Sequence, residues 1–287
     1  MNKNIFNKIL YNRKQNNIIN NNIINNSIII KKKDTTFYIK GLYSINWFIP
    51  SILNGTWEED TFNILDYYQN KDLIYIDIGA WIGPTVLYSA DKYKQIICFE
   101  PDPVAISRLS ENLSVNNFTN ITLITKALSD NDGISEFGGN GELGNSMSTL
   151  LVSQDNKEDF FNDYGRNGFL SYDERKKDII SVETITIDTV LRNYNIDPSN
   201  IGLIKIDIEG GEKIVIPSIE PFLKQHKPVF YISLHRVFLD DHNINIILDI
   251  LFSIYNNCYS FSSNILKEKV TKESIQEKNL TSLVFER

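Results

Sequence analysis

The segment LIYIDIGAWIG, residues 73–83, constrains the fold of this chain more than any other. An apolar run ends on a single carboxylate, Asp77. Gly79 and Gly83 follow, and Pro84 stands where a helix would open. Proline suits a first helical position because the N–H it lacks has no intrahelical partner there. A strand that feeds a glycine turn at the mouth of a helix lets backbone approach a ligand closely. The segment therefore points to a parallel α/β sheet carrying a nucleotide-like ligand.

The rest of the chain repeats the alternation. A helix over 57–69 leads into the strand at 73–78. Helices at 84–93 and 103–115 then alternate with strands at 95–99 and 121–125. A polar, glycine-rich stretch at 129–149 interrupts the pattern. It resumes with strand 179–187, a short helix at 188–194, strand 202–208 and a helix beyond Glu212. Strand 229–234, a helix near 243–255 and strands at 257–262 and 281–286 complete it, with no clear helix between the last two. Such alternation predicts a doubly wound, mostly parallel sheet whose last strands pair antiparallel. Ahead of it, residues 1–26 are Asn- and Ile-rich, with at most a weak helix over 5–10, and SIIIKKKDTTFYIKG reads as a hairpin.

Charge excludes some functions. Residues 1–33 carry +7 and no acid, while the remainder carries −14. An acidic body argues against nucleic acid as a partner. The basic arm reads as a solvated tail. No apolar run approaches a membrane span or a signal sequence, and the two cysteines are far apart. A soluble, cytoplasmic protein is the expectation.

Four groups carry candidate chemistry. Asp77 lies at a strand end, where open parallel sheets bind ligands. The turn after it departs from the dinucleotide fingerprint, because Trp81 occupies the place of the second glycine that a pyrophosphate needs. Glu100 ends the next strand, where an acid accepts hydrogen bonds from two ribose hydroxyls. Asp102 reads as the helix N-cap before Pro103. In IKIDIEGGE, residues 204–212, the period of two puts Lys205, Asp207 and Glu209 on one face and the isoleucines on the other. Three charges on a central strand need a cleft, water or one another. His235 follows the neighbouring strand. Asp207, Glu209 and His235 are candidates for the base of a catalytic site. They are also of the types that ligate divalent metals, but without a recognised spacing the preferred reading has none. The stretch 137–149 is a candidate lid.

Taken in order, DIGAWIGPT, CFEPDP, KALSD, ITIDTVL and IKIDIEGGE resemble the FkbM family of S-adenosylmethionine-dependent methyltransferases, over roughly residues 55–287. The resemblance implies a class I methyltransferase fold: a Rossmann-like, doubly wound seven-stranded α/β sheet with an antiparallel last strand. It divides the chain into an arm with a short hairpin, 1–40, and a methyltransferase domain, 41–287. It implies S-adenosylmethionine as donor, with Asp77, Gly79, Ala80 and Gly83 lining its amino-acid end. Glu100 would hold the ribose, Ala127 and Leu128 would pack near adenine, and Asp207 would face the methionine or the acceptor. Trp81 belongs to the same turn, at a position the family commonly fills with Asn. Ser233 stands where the family often has a glutamate. The expected reaction is O-methylation of a sugar, a glycan or another small polar metabolite. The rivals are a nicotinamide-dependent oxidoreductase and a non-catalytic cofactor-binding module of the same fold.

Overall fold

The structure is a computed structural model that describes residues 23–24, 27–40, 48–138, 142–151, 179–261 and 267–287. The short helix expected over 5–10 lies outside them, as does most of the polar sequence up to 178.

Among the described residues the main sheet has eight strands. In chain order they are β1 (Asn70–Ile78), β2 (Tyr93–Phe99), β3 (Ile121–Ile124), β4 (Ile201–Ile206), β5 (Val229–Ser233), β6 (Asn257–Ser260), β7 (Glu268–Lys269) and β8 (Ser282–Glu286). Their order across the sheet is β7-β6-β8-β5-β4-β1-β2-β3. Strands β3, β2, β1, β4 and β5 run parallel, while β8 is antiparallel to β5 and to β6. The sheet thus has eight strands where seven were expected, the two-residue β7 at the edge included, and its last strand in chain order is reversed as expected.

The helices are α1 (Phe48–Leu53), α2 (Glu59–Tyr67), α3 (Pro84–Ser89), α4 (Pro103–Asn116), α5 (Ile187–Asn193), α6 (Glu212–His226), α7 (Asp241–Ile254) and α8 (Lys272–Glu277). Period-two alternation divides the core between the two sheet faces. Ile74, Ile76, Ile78, Ile204 and Ile206 pack with Val215 and Leu223 of α6 and Leu248 and Leu251 of α7. Tyr75, Cys98, Leu203 and Tyr231 pack on the other face with Phe62 and Leu65 of α2 and Leu87 of α3. None of the described helices is long and apolar enough to cross a membrane.

Three sequence expectations change. The strand expected at 179–187 is Ile180–Ile185, and it leaves the main sheet. It pairs with Ala127–Leu128 and Gly133–Gly138 in a four-stranded sheet completed by Thr149–Leu151. The reason is visible along it: exposed Ser181 and Glu183 alternate with buried Val182 and Thr184, which suits a half-solvated strand and not one covered on both faces. The polar stretch at 129–149 supplies much of this small sheet. Second, α8 separates β7 from β8. It is only six residues long, and a reciprocal capping box between Thr271 and Ser274 marks its start.

Third, the hairpin Ser27–Lys32 and Thr35–Lys40 is not part of a solvated tail. Its inward residues Ile28, Ile30, Phe37 and Ile39 belong to the same apolar cluster as Phe62 and Tyr75. Asn112 and Asn116 of α4 accept from the backbone N–H of Lys40 and Tyr38, both at 2.8 Å. Lys32 pairs with Glu59, and Lys33 with Asp66 at 2.6 Å, so part of the basic arm neutralises acids of α2.

Candidate active site

The carboxyl ends of β1, β2, β4 and β5 bring Asp77, Glu100, Asp207 and His235 to one edge of the sheet. Strand order reverses between β1 and β4, the place where open α/β sheets bind ligands.

The turn after β1 is held by the N–H groups of Gly79 and Ala80, which donate to Phe99 O at 3.2 and 3.0 Å. Gly79 has φ +89°, and a Cβ on it would lie 2.0 Å from Asp207 O, so only glycine lets the two strand ends meet. Gly83 serves packing: a Cβ there would meet Leu109 Cδ1 of α4 at 2.3 Å. Trp81 is also left-handed, with φ 49°. Its N–H donates to Glu100 Oε2 at 2.8 Å, its indole N–H donates to Gly144 O at 3.0 Å, and its ring stands edge-on to Phe48.

Glu100 is buried beside this turn. Its other oxygen accepts from Asp102 N at 2.9 Å. Burial, reinforced by the charge of Asp102, pushes its pKa up to about 8 although both backbone bonds favour the charged form. Asp102 caps α4 as expected, accepting from Val104 and Ala105 N–H. Its second oxygen accepts from Gly144 N at 2.6 Å and so ties the glycine-rich segment to α4. That segment roofs a cleft of about 560 Å³ with Asn145, Ser146 and Ser148, over walls formed by Gly79, Trp81, Glu100, Ala127, Leu128 and Asp207.

The charged face of β4 is the second half of the site. Lys205 stands opposite Asp77 in register. Its Nζ lies 3.2 Å from Asp77 Oδ1 and 3.3 Å from Asp207 Oδ2. Asp77 Oδ2 also accepts from Thr85 Oγ1 at 2.5 Å. Burial opposes the lysine's charge, but Asp77, Asp207 and Glu58 raise its pKa above the usual range. His235 Nε2 lies 2.7 Å from Asp207 Oδ1 and 3.1 Å from Ser233 Oγ, and its Nδ1 lies 3.3 Å from Glu209 Oε2. Burial disfavours the imidazolium, yet the flanking carboxylates lift its pKa to about 10. Asp207 moves the other way: against its burial, Lys205 and His235 hold it well below the carboxylate range. Glu209, left-handed with φ 54°, is pushed up to about 8 chiefly by burial; His235 opposes the shift, and Asp207, Glu212 and Glu58 add to it. Glu212 pins the turn between them by accepting from the N–H of Ile208 and Gly210 at 2.8 and 2.7 Å.

A second cavity of about 440 Å³ adjoins the first and shares Gly79, Trp81, Ser146 and Asp207 with it. Ala80, Thr85, Lys205 and Glu209 line it, together with Trp57 and Glu58 from the start of α2.

The sequence profile of the FkbM methyltransferase domain matches residues 77–261, the larger part of the chain. The chain belongs to the FkbM methyltransferase family. This FkbM chain is 32% identical over 157 residues to the methyltransferase sdnD of Sordaria araneosa, covering 50% of this chain and 60% of that one. It thus spans less than two thirds of that relative's length. Among solved structures it is similar to an FkbM methyltransferase from Methylobacillus flagellatus KT, with TM-score 0.43, 17% identity, and coverage of 75% of this chain and 44% of that one. It is also similar to SMU.1697c from Streptococcus mutans, solved in complex with SAH, with TM-score 0.39, 10% identity, and coverage of 80% of this chain and 97% of that one.

The FkbM chain thus gathers Gly79, Ala80, Trp81, Glu100, Ala127, Leu128, Asp207 and Glu209 around two joined cavities, while Asp77 lines neither and is buried behind them on Thr85 and Lys205. His235 reaches them through Asp207 and Glu209, and Gly83 lies behind, against α4. Sequence reasoning missed Glu58, which lay unremarked inside the helix expected over 57–69.

Proposed function

We propose that the FkbM chain is an S-adenosylmethionine-dependent methyltransferase acting on a hydroxyl of a sugar, a glycan or another small polar metabolite. The observation that carries this reading is the pair of cavities joined at Gly79 and Asp207, one with apolar walls and a buried acid, the other walled by polar side chains. The residues present fit the donor. Each oxygen of Glu100 accepts one backbone N–H and so keeps capacity for a ribose hydroxyl. Ala127 and Leu128 offer an apolar wall for a purine, and Gly79 leaves no Cβ in the way. A dinucleotide fits poorly, because the Trp81 N–H that a pyrophosphate would use is committed to Glu100.

When bound, the donor supplies an electrophilic methyl group on a positively charged sulfur. The chain's own work is to orient the acceptor and take its proton. His235 is the poorer base near neutral pH, because the carboxylates beside its ring favour its protonated form. Asp207 is a weak base, with both oxygens engaged by Lys205 and His235. Glu209 is the carboxylate of the three whose pKa, about 8, lies near a working pH. We assign it the base role, with Lys205, Asp207 and His235 fixing the floor beneath it.

Methyl-labelled donor incubated with the protein and a cell extract, followed by mass spectrometry, tests the reading. Label in a methyl ether of a small metabolite or glycan is the expected result. Label confined to protein or RNA would overturn the acceptor class.

A further inference from the structure

Glu58 reaches the site from ahead of the strand–turn–helix at Asp77 to Ser89. Its backbone is left-handed, with φ 44° and ψ 48°, a conformation that non-glycine residues adopt at a cost. It occupies the N-cap position of α2, yet its side chain caps no backbone N–H of that helix. The carboxylate lines the second cavity with Gly79, Ala80, Lys205, Asp207 and Glu209. Its Oε2 accepts from Thr61 Oγ1 at 3.3 Å, and that hydroxyl lies 2.7 Å from Tyr231 Oη on β5. A buried polar chain from the sheet therefore positions it.

The charges around it do not balance. Lys205 is committed to Asp77 and Asp207, and His235 to Asp207 and Glu209. Among the described residues no cation forms an ion pair with Glu58. Its own burial and the nearby charge of Asp207 push its pKa up to about 8. A cavity walled by three carboxylates, whose one cation, Lys205, is already committed, accommodates an added positive group and disfavours a negative one.

We propose that Glu58 is the ionic ligand of the methyl donor's α-ammonium group, an assignment that rests on the donor reading above. With the ribose on Glu100, the amino-acid end passes Gly79, the wall common to both cavities, and carries its ammonium into the second. A carboxylate–ammonium contact in a half-enclosed site is a charge-assisted hydrogen bond, stronger than a neutral one.

Calorimetric titration with S-adenosylhomocysteine and with 5′-methylthioadenosine, which lacks the amino-acid end, tests this. Glu58→Gln should weaken S-adenosylhomocysteine at least tenfold and leave 5′-methylthioadenosine unchanged, which also shows that the variant is folded. Glu58→Asp should recover part of the loss. Unchanged S-adenosylhomocysteine affinity in Glu58→Gln, or equal weakening of both ligands, overturns the assignment while leaving the donor reading intact. Wild-type protein that binds neither ligand overturns both.

Discussion

Replacing Gly79 by alanine drives a methyl group into the carbonyl of Asp207. The new Cβ would lie 2.0 Å from that oxygen and 3.0 Å from its carbon. Ordinary carbon–oxygen contacts are about 3.3 Å or longer, so the turn or the end of β4 must shift by more than ~1 Å. Left-handed backbone adds about 1–2 kcal/mol for a residue with a side chain, and forced overpacking about 1–3 kcal/mol. The sum, roughly 2–5 kcal/mol, is a large share of a typical stability of about 5–15 kcal/mol. At about 2–4 °C per kcal/mol for a domain of this size, Gly79→Ala should melt roughly 4–20 °C below wild type in a calorimetric scan. Gly55→Ala isolates the conformational part. Gly55 has φ +69°, but its added Cβ meets only the Glu59 carboxyl, with Oε1 at 3.4 Å and Cδ at 3.7 Å, both ordinary contacts. That variant should lose only about 1 kcal/mol. Gly79→Ala melting no lower than Gly55→Ala would refute the close approach of β1 and β4 on which the site is built.

Two further outcomes follow from the charges. Glu58, Glu100 and Glu209 are raised to about 8 and His235 to about 10, so across this range the folded state holds protons that the unfolded chain has released. Stability to denaturant should therefore fall as pH rises from about 5 to 9, and Glu100→Gln should flatten the fall; a rise would contradict the burial of these carboxylates. Asp207→Asn leaves Lys205 and His235 each short of one carboxylate. It should destabilise by about 3–5 kcal/mol, and the His235 pKa, followed by NMR, should drop well below 10; an unchanged titration would remove the Asp207–His235 pair from the account.

The legible parts of this protein are those written in short stretches of sequence. The apolar run before Asp77, the glycines after it, Pro84, and the Asp102–Pro103 cap each act within a few residues, and the strand–turn–helix units follow. The charged face through Lys205 and Asp207 was legible from a strand's period of two, but the strand ends at Ile206, and Glu209 reaches the same cleft on a left-handed turn that the alternation did not foresee. The partners of those charges were not legible. Lys205 meets Asp77 through the register of two strands distant in sequence, which no local pattern encodes. Segment 180–185 has the composition of a strand, but its sheet is chosen by distant residues 133–138. His235 read as a base from its place alone; the carboxylates beside both ring nitrogens, one of them Glu209 on a left-handed turn, favour its protonated form, and no local pattern announces them. Glu58 carried no signal, because its role depends on a left-handed turn at the start of α2.

The central claim is that the cleft between Gly79 and Glu100 holds a methyl donor by its ribose. Titration of wild type and Glu100→Ala with S-adenosylhomocysteine tests it most directly. One-to-one binding by wild type, weakened at least tenfold in a variant that keeps its melting cooperativity, is the predicted result. No heat of binding at millimolar ligand, or equal affinity in the two proteins, would contradict it.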